Sequence, residues 1–329
     1  MFVTCRGEGG ARPALWKVPG FRRSSGAGVC VLDVSLPRAP QMLSWWGAPN
    51  RVEGQDRLGS LLVVCNVADG IVYTFDADAV AAGPVGACNL SVNGCLHVRL
   101  HSPADGHIYA LVTSGFATAY GVPGGASCLV VLDVTDASRP LELLKVREGA
   151  PRIPEGIFVH GTHAYIGGCA DTRLSVYALG GLPSRVEYVR SLHDPAYKQL
   201  VCQDTRRGVR HADGEFALLY AALWAKPGGL GVFEVHSSGE ITETSRLVCD
   251  DLTWANRVVM LGARCALLPL ESHPGGFAVV SHEADGRCQL LARRVFTSAD
   301  DTCYCACANG GYVYAFAVRS STMHVFRFI

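Results

Sequence analysis

One phrase returns along this chain: an apolar strand ending in Leu-Asp-Val or Tyr-Ala-Leu, a turn, then a second strand. Its clearest copy is LVVLDVTDASRPLELLKV, Leu129–Val146, echoed by VCVLDVSLPRAPQMLSWW, Val29–Trp46. Weaker copies begin at Ile71 (IVYTFDADAV), Arg173 (RLSVYALGGLPSRVEYV) and Gly229 (GLGVFEVHSSGEITETSRL). A unit that returns every ~40 residues cannot bury its own apolar faces and must stack on its neighbours.

Helical periodicity is nearly absent. Apolar or alternating runs such as LLVVCNV, HIYALVTS, RLSVYAL, FALLYAAL and YVYAFAV instead sit between turn clusters such as ADG, SSG, ANGG and PGG. Their Val, Tyr, Leu and Phe content reads as all-β. Laid in register, the runs give units near 1–49, 50–92, 93–150, 154–193, 197–250, 255–297 and 301–329. The fourth shows the plan most fully: EGIFVHG, THAYIGG, RLSVYAL and SRVEYVRSL would be its inner, second, third and outer strands. About four antiparallel strands per unit, repeated radially, predict a single-domain β-propeller with seven blades. Six or eight blades fit the rhythm as well, because unit three carries the extra stretch FATAYGVPGGA. The first unit begins at its second strand (MFVTC), and the last stops at its third (MHVFRFI). Either the first blade lacks an inner strand or RPALWKV, from Arg12 to Val18, fills a missing strand and fastens the ring.

The stretch Leu129–Val146 resembles an LVIVD-type repeat, in which an apolar-Asp-Val strand precedes a D-x-S-x-P turn and an edge strand. FVHGTHAYIGG, Phe158–Gly168, is similar to the inner segment of that repeat. VLDVSLPRAP, Val31–Pro40, keeps the pattern but lacks the second turn aspartate. The resemblance implies a β-propeller, most often seven-bladed, and carries no activity, because the motif residues are structural. Physically, Asp133 ends a strand and Asp136 opens a turn, where carboxylates accept backbone N–H bonds. Pro140 then precedes an edge strand, where a missing N–H is tolerated. Asp33 and Pro40 should do the same work.

Charge excludes some partners. Lys plus Arg and Asp plus Glu number 29 each, so no global field draws nucleic acid or an anionic membrane. No apolar run approaches the ~20 residues of a membrane helix, and MFVTCRGEGGARP lacks the order of a secretory signal. The 14 cysteines fall mostly inside apolar runs, where a free thiol acts as a small hydrophobe. Reduced thiols imply a cytoplasmic protein.

Chemistry is sparse. Cys303, Cys305 and Cys307 would share one face of an extended strand. At about 6.6 Å between alternate residues they suit a tetrahedral ion poorly, so they are a weak metal candidate beside a plain packing role. His160 and His163 flank a turn with no third ligand nearby in sequence, and His97, His101 and His107 surround the SPADG turn. The glycine clusters lack phosphate-loop spacing, and Arg206, Arg207, Arg210 and His211 read as a solvated loop. No cofactor is implied.

One set remains. The starts of the inner strands surround one mouth of a propeller's channel, and here they are Asn50, Arg51, Glu155, Lys198, Asn256, Arg257 and Thr302. They suit a polar ligand or a partner's loop. The expectation is a monomeric, non-enzymatic scaffold that binds a protein through this mouth and the inter-strand loops. The alternative is a propeller enzyme or small-ligand binder using Glu155, Lys198, Arg257 and His160. Convergence of these groups and a strongly perturbed titratable residue would favour the alternative.

Overall fold

The computed structural model describes residues 1–5, 27–67, 69–90, 92, 94–115, 127–194, 200–203, 216–262, 264–299, 301–317 and 322–328. Within them the chain forms seven antiparallel sheets, each a meander in chain order. The first holds β1 (Phe2–Cys5), β2 (Gly28–Asp33) and β3 (Gln41–Gly47). The second holds β4 (Val52–Leu58), β5 (Leu61–Asn66), β6 (Ile71–Asp76) and β7 (Gly86–Asn89). The third runs through β8 (Cys95–His101), β9 (Tyr109–Ser114), β10 (Cys128–Asp133) and β11 (Leu141–Val146). Next come β12 (Pro154–His160), β13 (His163–Gly168), β14 (Arg173–Ala178) and β15 (Glu187–His193). The fifth has β16 (Leu200–Gln203), β17 (Phe216–Leu223), β18 (Gly228–His236) and β19 (Ile241–Cys249). The sixth has β20 (Val259–Met260), β21 (Cys265–Leu270), β22 (Gly276–His282) and β23 (Cys288–Val295). The seventh ends at β24 (Cys303–Asn309), β25 (Tyr312–Ala317) and β26 (Thr322–Arg327). This arrangement is a β-propeller.

Each sheet is apolar on both faces because each face meets a different neighbour. In β10, Cys128, Val130 and Leu132 pack on the second sheet, whereas Leu129 and Val131 pack on the fourth. In β17, Leu218, Tyr220 and Ala222 face the sixth sheet, and Ala217, Leu219, Ala221 and Leu223 face the fourth. That is why these strands read as continuous apolar runs rather than as clean alternation. A distinct apolar cluster fills every interface around the ring. The last of them joins Cys30 and Leu32 of β2 to Tyr314 and Phe316 of β25, so sheet seven closes on sheet one.

The two three-stranded sheets differ in what they lack. β1 packs against β4 as β5 packs against β8, β9 against β12 and β13 against β16. It therefore occupies the second-strand position, and among the described residues sheet one has no inner strand. Among the described residues seven sheets surround an axis that six inner strands line. Residues 12–18 and the stretch FATAYGVPGGA lie outside the described residues. The sixth inner strand is short, reduced to β20 and an isolated bridge between Ala255 and Leu270.

The repeated turn behaves as its residues require. Asp33 Oδ1 accepts the amide of Ser35 at 2.8 Å, Asp133 Oδ1 that of Thr135 at 2.9 Å, and Asp136 Oδ1 that of Ser138 at 2.9 Å. The turn of sheet three also docks on sheet two. Thr74 Oγ1 donates to the carbonyl of Ala137 at 2.5 Å, and a Cβ on Gly86 would stand 2.2 Å from that oxygen. Asp133→Ala should cost about 1 kcal/mol through the lost acceptor, and its neighbour Leu132→Ala ~2–5 kcal/mol through an interface cavity. Denaturant melts of both variants check the order, and equal losses would contradict the division between turn and core.

Candidate functional site

All six inner strands gain an extra residue near their start. The register slips between Val52 and Gln55 in β4, Cys95 and His97 in β8, Pro154 and Gly156 in β12, Val201 and Gln203 in β16, and Cys303 and Cys305 in β24. In sheet six the slip lies between the pairs Ala255–Leu270 and Val259–Leu267, around Asn256 and Arg257. A β-bulge re-aims a side chain and breaks the alternation of faces. The bulges place Glu53, Leu96, Glu155, Asn256 and Tyr304 at equivalent levels around the axis.

The polar members of this ring converge. Glu53 is 3 % exposed and Glu155 6 %. Arg51 donates from its guanidinium to Glu53 Oε2 at 3.2 Å, and Tyr304 donates its hydroxyl to Glu53 Oε1 at 3.4 Å. The Tyr304 contact spans 251 positions of sequence and links the seventh sheet to the second. Glu271, at the end of β21, accepts the indole N–H of Trp224 and the amide N–H of Asn256, both at 2.9 Å. Glu155, Glu271 and Arg257 lie close enough for their charges to act on Glu53.

Burial drives the Glu53 carboxyl well above the ordinary range. The charges of Glu155 and Glu271 push the same way, and Arg257 offsets them in part. The Arg51 hydrogen bond is compatible with this, since the carbonyl oxygen of a protonated carboxyl accepts it as well. Taking a carboxyl out of water beside two others favours its neutral form, the form toward which Glu53 is pushed.

The positions anticipated at the strand starts divide accordingly. Glu155, Asn256, Arg257 and Arg51 come together here. Asn50 turns away and donates to both carboxylate oxygens of Asp69 at 3.0 Å, tying its strand to the β5–β6 loop. Thr302, 8 % exposed, packs on the preceding sheet, where a Cβ on Gly275 would stand 2.4 Å from its Cα. Lys198 and residues 206–211 lie outside the described residues. Glu53, Glu271 and Tyr304 were not anticipated. The signal for Glu53 was present, since Val-Glu-Gly at 52–54 repeats Pro-Glu-Gly at 154–156. Gly54 is needed there because a Cβ would stand 2.4 Å from the carbonyl of Leu96 on the next inner strand.

The expected alignment of three thiols on one face is corrected by the bulge at Tyr304. Cys303 turns into the interface with sheet six, whereas Cys305 and Cys307 turn into the interface with sheet one. Burial raises the Cys303 thiol well above its usual range. No group of three or more His, Cys, Asp or Glu side chains is placed to hold a metal among the described residues. His160 and His163 pair across the β12–β13 turn, and burial lowers the pKa of His163. His107 instead pairs its Nδ1 with Asp133 Oδ2 at 3.0 Å. No helix among the described residues is long and apolar enough to cross a membrane.

Comparison with known proteins agrees on architecture alone. No family model matches the sequence, and no curated protein matches it. Among solved structures, a functionally unknown protein from Desulfotomaculum acetoxidans DSM 771 superposes with a TM-score of 0.67 at 11 % identity, over 92 % of this chain and 88 % of that one. The computationally designed protein Ika8 gives a TM-score of 0.58 at 13 % identity, over 92 % and 80 %. A candidate 6-phosphogluconolactonase from Bacteroides uniformis ATCC 8492 gives 0.61 at 14 % identity, over 84 % and 80 %.

The Glu53 environment has a measurable signature. An unfolded glutamate loses its proton near pH ~4.3, whereas folded Glu53 keeps it to higher pH. The folded state therefore binds the extra proton in that window, and stability falls as pH rises through it. Glu53→Gln should melt higher than wild type at pH 8, with the advantage shrinking toward pH 5. A constant difference across that range would show that Glu53 is ionised throughout.

Proposed function

We propose that this propeller binds a small polar ligand at the mouth formed by the inner-strand starts. The observation that supports the reading is the gathering of Glu53, Glu155 and Glu271 from three sheets, with Arg51 and Arg257 among them. Ring closure needs none of these groups, since apolar clusters already fill each interface. Crowding carboxylates in a buried position costs stability, and a perturbed acid among converging polar groups marks a candidate binding site. Acceptors, guanidinium donors and a protonated carboxyl together suit a ligand with several hydrogen-bonding groups. The solved neighbour described as a candidate lactonase is consistent with small-molecule chemistry on this architecture, at an identity that carries only the fold.

A second reading is a non-enzymatic scaffold that holds a protein partner through the mouth and the inter-strand loops. It is favoured by Leu36 in the β2–β3 turn and Val85 before β7, which are 65 % and 47 % exposed on loops. The likeness of Leu129–Val146 to LVIVD-type repeats and a cytoplasmic setting fit either reading.

One comparison separates them: wild type and a Glu155→Ala/Arg257→Ala variant of matched stability, used both in a thermal-shift metabolite screen and as affinity bait with quantitative mass spectrometry. The ligand reading expects a metabolite that raises the wild-type Tm and leaves the variant unmoved. A protein enriched by wild type alone, with no metabolite shift, would transfer the assignment to the scaffold.

A further inference from the structure

Glu271 sits apart from the Arg51–Glu53 pair in what holds it. Both hydrogen bonds to its Oε2 come from neutral donors, Trp224 Nε1 and Asn256 Nδ2. No Lys, Arg or His nitrogen lies within ion-pair distance of it among the described residues. It is an oriented carboxylate with no direct counter-ion among the described residues. Asn256 adds an unmet acceptor beside it. Its amide nitrogen is committed to Glu271, so the remaining Oδ1 is an oxygen, buried and without a partner among the described residues on a side chain 1 % exposed. Two acceptors in one corner thus call for donors.

The walls of that corner are aromatic. The rings of Trp224 and Trp254 lie 4.7 Å apart between centroids and are tilted by 54°, and both residues are half-buried. Trp254 immediately precedes the sixth inner-strand start and takes φ 59°, a conformation that a bulky side chain rarely adopts. Its backbone is held there from two sides: its amide donates to the carbonyl of Ala225, and its carbonyl accepts the amide of Glu271, both at 2.9 Å. The β17–β18 loop, the sixth inner-strand start and the end of β21 are therefore joined into one hydrogen-bonded unit on the mouth face. Indole faces attract cations electrostatically, tryptophan most strongly among the aromatic side chains.

We propose that this corner seats an organic cation, a primary ammonium or guanidinium head group, against the tryptophans with Glu271 as its counter-charge. The proposal rests on the reading of the mouth as a polar-ligand site and names the head group that site takes. The missing donors favour N–H-bearing cations over quaternary ammonium, which offers charge without hydrogen bonds. The same head group occurs on free amines and on lysine or arginine side chains of a peptide, and the probes separate these sources.

The test is titration of the full chain with n-butylamine, n-butylguanidine, tetramethylammonium and neutral n-butanol, followed by tryptophan fluorescence and calorimetry. Gly-Lys-Gly and Gly-Leu-Gly form the peptide arm. Saturable binding of butylamine and butylguanidine is expected, at least tenfold tighter than that of butanol or tetramethylammonium, and at least tenfold weaker in Glu271→Gln. Gln keeps an acceptor for Trp224 and Asn256 while removing the charge and replacing the second oxygen with an amide donor. Trp254→Leu should weaken cation binding severalfold. Tighter binding of Gly-Lys-Gly than of butylamine would assign the cation to a peptide, and the reverse to a free amine. Equal behaviour of butylamine and butanol on wild type overturns the proposal, even if a variant fails to fold. So does unchanged cation binding by a folded Glu271→Gln. A metabolite that depends on Glu155 and Arg257 but is indifferent to Glu271 would sink the cation assignment and leave the mouth reading standing. With no metabolite and no cation bound, both fall.

Discussion

The structure depends on the burial of every sheet between two neighbours. A sheet in this ring has no solvent face until its fourth strand, so one residue faces the sheet before and the next faces the sheet after. Leu129 and Val130, adjacent in β10, belong to different interfaces. At ~25 cal/mol per Å2 of apolar area removed from water, the favourable energy lies in these interfaces rather than in any single sheet. The first and seventh sheets complete the last interface through Leu32 of β2 and Phe316 of β25.

Against that background the bulges are the informative irregularity. A strand that alternated without interruption would send Glu53 or Glu155 into an apolar interface. One extra residue per inner strand changes the phase at its start, so polar side chains gather near the axis while the rest of the strand keeps its packing. The same device separates Cys303 from Cys305 and Cys307. Polar residues near the axis and inert thiols in the interfaces are two results of one backbone adjustment.

How much of this could be read in the sequence follows from where periodicity holds. The Asp-Val strand, its turn and the proline before β11 obey local rules, and Leu129–Val146 was legible residue by residue. Near the axis, period-two reasoning fails because bulges leave no compositional trace of their own. It aligned three cysteines that the backbone separates, and it favoured Asn50 where Glu53, three residues on, enters the site. Only comparison of repeats could have corrected it, through the Glu-Gly pair shared by 53–54 and 155–156. Glu271 and Trp224 lay further out of reach. They enter from the ends of second strands, and nothing in their local sequence distinguishes them from ordinary loop residues.

Among the described residues sheet one contributes no inner strand, so what lines the axis there is asymmetric. The hydroxyl of Tyr304 on β24 reaches Glu53 on β4, linking the seventh sheet to the second. Leu96 and Val67 form an apolar side of the mouth with Ile153, while carboxylates and guanidinium groups occupy other sectors. A molecule entering along this axis meets a polarised and chiral environment, in which only one of its rotations about the axis satisfies every sector. These chemically distinct sectors give a nearly rotationally symmetric fold a means to tell one orientation of a guest from another.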